Sequence, residues 1–351
     1  MIRFAWLQAR PQTAIAFGAL VIVAIVAAVT GPHLVHLYNA NVARCATHGD
    51  CSTATAAFLL NDKNLGIWLG ILVIVMPGLL GVFWGAPLIA RELETGTYRL
   101  AWTQGVTRTR WLGVKLAVVG LASMVVTGLL SLMITWWASP IDRVHANRFS
   151  PPFFDERGIV AIGYAAFALT LGITVGLVIR RTVPAMATTL AAFVLVRLGT
   201  IFWMRPHLIA PLHQVNTLDP NRIGLRSTNS GSFSLLPPSP NLPNAWIYST
   251  RFADKAGQPL THRFLARACP RLGTLAGAPP QGSGNVRKAP AGLDKVLHDC
   301  VATVSLHYHS VTTYQPASHY WTFQWLELAI FLSAAVILSW FCLWWIRGRF
   351  A

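Results

Sequence analysis

The chain has 351 residues, of which 54% are hydrophobic and only 11% charged, with a mean hydropathy of +0.50. Soluble domains carry about 25% charged residues, so a soluble globular protein is excluded. The formal net charge of +16 would point to nucleic acid in a soluble chain, but a bilayer-embedded chain gathers its basic residues in loops for reasons of topology, and no nucleic-acid partner is implied. Only five of the 28 basic residues are lysines (Lys63, Lys115, Lys255, Lys288, Lys295), an arginine bias that suggests a high-GC bacterial genome.

In chain order, Met1 to Gln12 sets Ile2, Phe4, Trp6 and Leu7 beside Arg3 and Arg10. The segment reads as an amphipathic stretch on the cytosolic leaflet, with a disordered tail as the alternative. A membrane helix needs about 20 mostly apolar residues, and six runs qualify: Thr13 to Thr30, Leu65 to Ala90, Leu116 to Ala138, Ile159 to Ile179, Val183 to Met204 and Trp325 to Ile346. A cleavable signal peptide competes for the first, although its apolar run is long for one. The second holds Pro77, Gly78, Gly81, Gly85 and Pro87, which predicts a kink. The expected fold is an all-α polytopic membrane protein with six transmembrane helices and a large extracytoplasmic insertion, 205–324, between helices five and six. Residues 325–351 then form the sixth helix and a cytosolic tail.

Loop charge fixes orientation. Arg3, Arg10, Arg91, Arg99, Arg108, Arg110, Lys115, Arg180, Arg181, Arg347 and Arg349 fall on one side, opposed only by Glu92 and Glu94. The first and third loops are mixed (Arg44, Asp50, Asp62, Lys63; Asp142, Arg143, Arg148, Asp155, Glu156, Arg157). The positive-inside rule therefore places both termini in the cytosol of a multi-pass protein of the bacterial cell membrane. The fifth loop is too long for its own eleven basic residues to hold it inside, and it is expected outside.

Four of the five cysteines then lie in an oxidising compartment, and locality favours the disulfides Cys45–Cys51 and Cys269–Cys300 among the three pairings. The first half of the fifth loop is poor in pattern and rich in Pro, Ser and Asn (Pro237, Pro238, Pro240, Pro243) and reads as irregular structure packed on something else. From Ala302 onward the residues alternate, predicting a strand with Val304, Leu306 and Tyr308 on one face and Thr303, Ser305, His307 and His309 on the other. His307 and His309 are weak metal candidates, since no third ligand is fixed by spacing, and no metal site is assigned.

The loop 91–115 is the most informative segment. Thr97 can cap a short helix from Tyr98 to Gln104, and Thr107 can cap the helix leading into the third span. Tyr98 and Trp102 share one face, suited either to headgroups or to a groove on a soluble partner. Here the sequence resembles the permease subunit of a type 2 ATP-binding-cassette (ABC) exporter. That family has an acidic residue, a Gly-Thr pair, a short helix, and then Arg and Lys opening the third span. Glu92 or Glu94, Gly96-Thr97, Arg108 or Arg110 and Lys115 match it. The closing stretch from Tyr314 to Glu327 is similar to permeases common in actinobacteria.

The resemblance implies that Tyr98 to Gln104, with Arg99, is a coupling helix on an ATPase subunit, and that Glu92, Glu94 and Arg91 hold the loop or its partner by ion pairs. It also implies a second permease copy, identical or a paralogue, and transport by alternating access. No Gly-x-x-x-x-Gly-Lys-[Ser/Thr] run occurs, so no cofactor is expected in this chain; ATP and Mg belong to the partner subunit.

Two rivals remain. A secondary transporter would need titratable groups near the midplane, whereas the spans hold only Arg197 and, near one end, Glu327. Arg197 should face a dimer interior or a helix carbonyl, or line a translocation path. An extracytoplasmic sensor or enzyme finds no nucleophile elbow and no paired carboxylates in the fifth loop.

Overall fold

The computed structural model describes residues 2–45, 51–61, 63–97, 107–144, 148–227, 233–240, 242–272 and 292–348. Among the described residues, six helices are long and apolar enough to cross a membrane: Ala14–Ala43, Lys63–Thr95, Arg108–Trp137, Val160–Ile179, Thr182–His207 and Ala317–Gly348, here the first to sixth spans. All but the fourth, which begins one residue later than expected, exceed their expected apolar runs in length, because helices continue past the hydrophobic stretch into their polar flanks. The first helix begins at Ile2, so the expected leaflet segment runs into the span without a break.

The chain divides into two compact units, Met1–Ile209 with Ser318–Ala351, and Ala210–Ala317. Arg205 and Gln324, expected in the insertion, thus belong to the helical unit. In that unit the fourth span is central and the most buried, whereas the first, fifth and sixth spans turn most of their apolar residues outward. Outward side chains such as Ile15, Val21, Leu132, Trp203 and Trp340 form the surface that hydrocarbon would cover.

Small residues set how closely the second and fourth spans approach. A Cβ on Gly85 would come 2.6 Å from the Leu169 carbonyl oxygen, and one on Gly176 would come 2.6 Å from that of Ala86. Backbone therefore packs on backbone, as in close membrane-helix contacts. Where the sequence predicts a kink, the second span holds a π-helical turn at Gly81–Gly85, between the helices Lys63–Leu80 and Ala86–Thr95. Trp137 Nε1 donates to Thr30 Oγ1 at 2.8 Å, tying the third span to the first.

The second unit corrects the all-α expectation. Strands β1 (Leu212–Asn216), β4 (Trp246–Asp254) and β5 (Tyr308–Gln315) form an antiparallel sheet in the order β1-β5-β4. Strands β2 (Gly224–Ser227) and β3 (Phe233–Leu236) form a hairpin. The half of this segment expected to be irregular thus supplies four strands. The expected strand at 302–314 is also corrected: residues Leu293–Ser305 are helical, and β5 starts only at Tyr308. Cys300, Val301 and Val304 give this helix a buried stripe, while Thr303 and Ser305 return hydroxyl bonds to the Asp299 and Ala302 carbonyls. That bonding suits a helix as well as the alternation suited a strand.

Both expected disulfides are present. Cys45–Cys51 follows the first span, and Cys269–Cys300 joins the helices His262–Ala268 and Leu293–Ser305 in the core of the second unit. Cys342 is free and buried.

Candidate functional site: charged groups at the two ends of the bundle

At the arginine-rich end, the second span closes on Gly96, whose φ of 74° gives the left-handed cap that glycine adopts without cost. Thr97 follows, its hydroxyl 3.1 Å from that of Thr95. The third span opens at Arg108, capped by Thr107 Oγ1 accepting from Arg110 N at 3.4 Å, as the sequence predicts. Tyr98, Arg99 and Trp102 lie outside the described residues, as does the expected short helix.

The two acidic residues before Gly96 turn into the protein. Glu92 is buried and pairs with Lys115, itself only 2% exposed, in a direct ion pair between the second and third spans. The Lys115 ammonium also lies 4.6 Å from the Trp111 ring centroid. Glu94 accepts from both Thr182 N (3.0 Å) and Thr182 Oγ1 (2.7 Å), capping the fifth span. Both flanks of 98–106 are thereby fixed to the bundle, one through Glu92 and Glu94 and the other through Lys115.

The opposite end gathers charges that sequence reading treated one at a time. Asp155 comes from the short helix Pro151–Glu156, Arg197 and Arg205 from the fifth span, and Glu327 from the sixth. Arg197 Nη2 is 3.0 Å from Asp155 Oδ2, and its Nη1 is 3.6 Å from Glu327 Oε1. Arg205 donates from Nε and Nη2 to the two Glu327 oxygens at 3.0 Å each and also pairs with Asp155. The Tyr164 hydroxyl bonds to Asp155 at 3.2 Å and to Glu327. Arg197 stacks 3.6 Å from the Tyr164 ring and Arg205 4.1 Å from that of Phe154. Arg197 therefore meets carboxylates within the chain, in place of the helix carbonyl expected of it.

Gln324 locks the same end. Its Oε1 accepts from Ile159 N (3.0 Å) and Val160 N (3.1 Å), while Nε2 donates to the Phe154 and Arg157 carbonyls at 3.1 Å each. One amide thus satisfies the start of the fourth span and the loop before it. Gly158, at φ 84°, leaves room for it: a Cβ there would stand 2.7 Å from Gln324 Oε1. Beside this network Arg157 pairs with Asp142. Burial lowers the Arg157 pKa to about 10. Burial, reinforced by the Asp155 carboxylate, pushes Glu156 up to about 7.

The metal candidates are not brought into a site. His307 lies in the turn before β5, its ring 6.0 Å from that of Phe264, and His309 pairs in register with Ala253. Among the described residues no group of three His, Cys, Asp or Glu side chains is placed to hold a metal.

The model of a family described as "ABC-2 membrane transporter related" matches residues 17–205, from within the first span to the end of the fifth. No curated protein and no solved structure gives a significant match.

Proposed function

The chain belongs to the ABC-2 membrane transporter related family, and from that premise we propose that it is the permease subunit of an ATP-driven exporter. Its ATPase is a separate polypeptide that holds ATP and Mg, and a second permease copy completes the translocation path. The arginine-rich end faces the cytosol, both termini included. The second unit lies outside the cytoplasm. Two features support this orientation: the eleven basic residues gathered on one side, and two disulfides of the kind an oxidising compartment sustains, one beyond the far end of the first span and one in the second unit.

The observation that carries the coupling reading is the buried Glu92–Lys115 pair at the base of the 98–106 segment. A segment meeting an ATPase is useful only if its displacement reaches the spans. A buried pair between the second and third spans, with Glu94 on the fifth, transmits such a push. An exposed ion pair would dissipate it. Residues 98–106 are then the contact with the ATPase, Tyr98 and Trp102 its aromatic anchors, and Arg108 and Arg110 its flanking cations. The cargo is a hydrophobic or amphiphilic compound moved by alternating access.

Co-purification with the co-expressed ATPase tests the reading. Tyr98→Ala with Trp102→Ala is expected to abolish it while the protein remains inserted and folded; unchanged co-purification would sink the coupling role.

A further inference from the structure

The buried charges of the end opposite the arginine loops do not balance. Among the described residues, Asp142, Asp155, Glu156 and Glu327 stand against Arg157, Arg197 and Arg205. Asp155 and Glu327 are matched by Arg197 and Arg205, and Asp142 by Arg157. Glu156 is the carboxyl left over. Its nearest cation is Arg157 Nη2 at 3.7 Å, a guanidinium already committed to Asp142. The Glu156 side chain is 7% exposed and rests against Gly70 of the second span, where any Cβ would collide with it.

The same carboxyl lines a cavity of about 520 Å³ between the first, second and third spans. Its walls are mostly apolar, Leu34, Ile67, Ile71, Ile134 and Trp137 among them. The other charged lining residues are Arg157, already paired, and Lys63, which is exposed and forms no ion pair with Glu156. The volume suits one drug-sized molecule. An ionised carboxyl in such surroundings needs a counter-charge. An anion would worsen the imbalance, and an uncharged tail would leave it.

We propose that this cavity binds an apolar compound carrying a single cationic centre, with the charge at Glu156 and the body among Ile67, Ile71, Ile134 and Trp137. The position of Glu156 near half-protonation at neutral pH agrees with this. A bound cation selects the ionised carboxyl, so affinity weakens as pH falls below about 7, toward tenfold per pH unit.

Equilibrium binding of radiolabelled tetraphenylphosphonium to the purified full-length protein tests it, because that cation does not itself titrate. Affinity is expected to rise from about pH 5.5 to about pH 7 and then level off. Glu156→Gln should weaken binding at about pH 8 by about tenfold or more and remove the pH dependence. Ile67→Trp, which fills the cavity from an exposed wall position, should abolish binding at every pH. Binding by the unaltered protein that ignores pH, or native-strength binding by Glu156→Gln, would overturn the proposal. So would native mass spectrometry showing a phospholipid held equally by both forms and not displaced by tetraphenylphosphonium. No ATPase is present in these measurements, so their outcome is independent of the coupling reading.

Discussion

The two ends of the helical unit handle buried charge in different ways. At the arginine-rich end one pair, Glu92 with Lys115, joins two spans, and a largely exposed carboxylate, Glu94, caps a third. At the opposite end seven buried charges, a tyrosine and a glutamine join the fourth, fifth and sixth spans to the loop before the fourth. The first arrangement sits beside a loop that a partner is proposed to push. The second is nearly closed, with Glu327 fully buried. Graded substitutions can separate the two arrangements.

The largest loss is expected from Arg205→Met, which leaves Arg197 alone against the buried carboxylates of Asp155 and Glu327 and should cost about 3–5 kcal/mol, read as a lowered midpoint of thermal unfolding. Adding Glu327→Gln should recover part of it; equal losses in the single and double variants would show that the network is not one unit. Glu156 gives a pH signature at this end. Its folded pKa of about 7 lies above the ordinary carboxylate value, so the folded state binds the extra proton and stability falls as pH rises through that window. Glu156→Gln should remove this slope and stabilise the protein at about pH 8 by at most about 3 kcal/mol.

At the arginine-rich end, Glu92→Ala should cost about 2 kcal/mol by leaving Lys115 unpaired near the bundle edge. Lys115→Met added to it should restore stability without restoring stimulation of the ATPase. Recovery of both would reduce the pair to a structural role. Glu94→Ala is expected to be the mildest, with little change in the melting midpoint but faster hydrogen exchange at the Thr182 amide.

The six spans were legible because each is an uninterrupted apolar run, and the disulfides because the cysteines sit close in sequence on one side. The Gly96-Thr97 position was picked out by the family resemblance, and its left-handed cap emerged only in the fold. What escaped was mostly non-local. Asp155, Arg197, Arg205 and Glu327 are spread over 173 positions, and each alone looks like a boundary charge or a costly intruder. Two opposite charges inside apolar runs, Arg197 and Glu327, were the available hint that a pair existed. Glu92 and Lys115 were picked out by pattern, but not as partners of each other; the packing of the second span on the third brings them together. The β1–β5 pairing sets Leu212 opposite Tyr314, a distance at which local composition says nothing. The alternation at 302–309 failed because a helix stripe and a strand face both fit so short a run.

The π-helical turn at Gly81–Gly85 sets the azimuth of everything beyond it. Such a turn is in effect one residue inserted into a regular helix, which offsets the following segment by about 100°. The helix Ala86–Thr95 is therefore offset in phase from the helix Lys63–Leu80, and that offset aims Glu92 at Lys115 and Glu94 at Thr182. Removing Val82 would relax the turn to regular helix and rotate both carboxylates off their partners while leaving every side chain of the charge network at the other end in place.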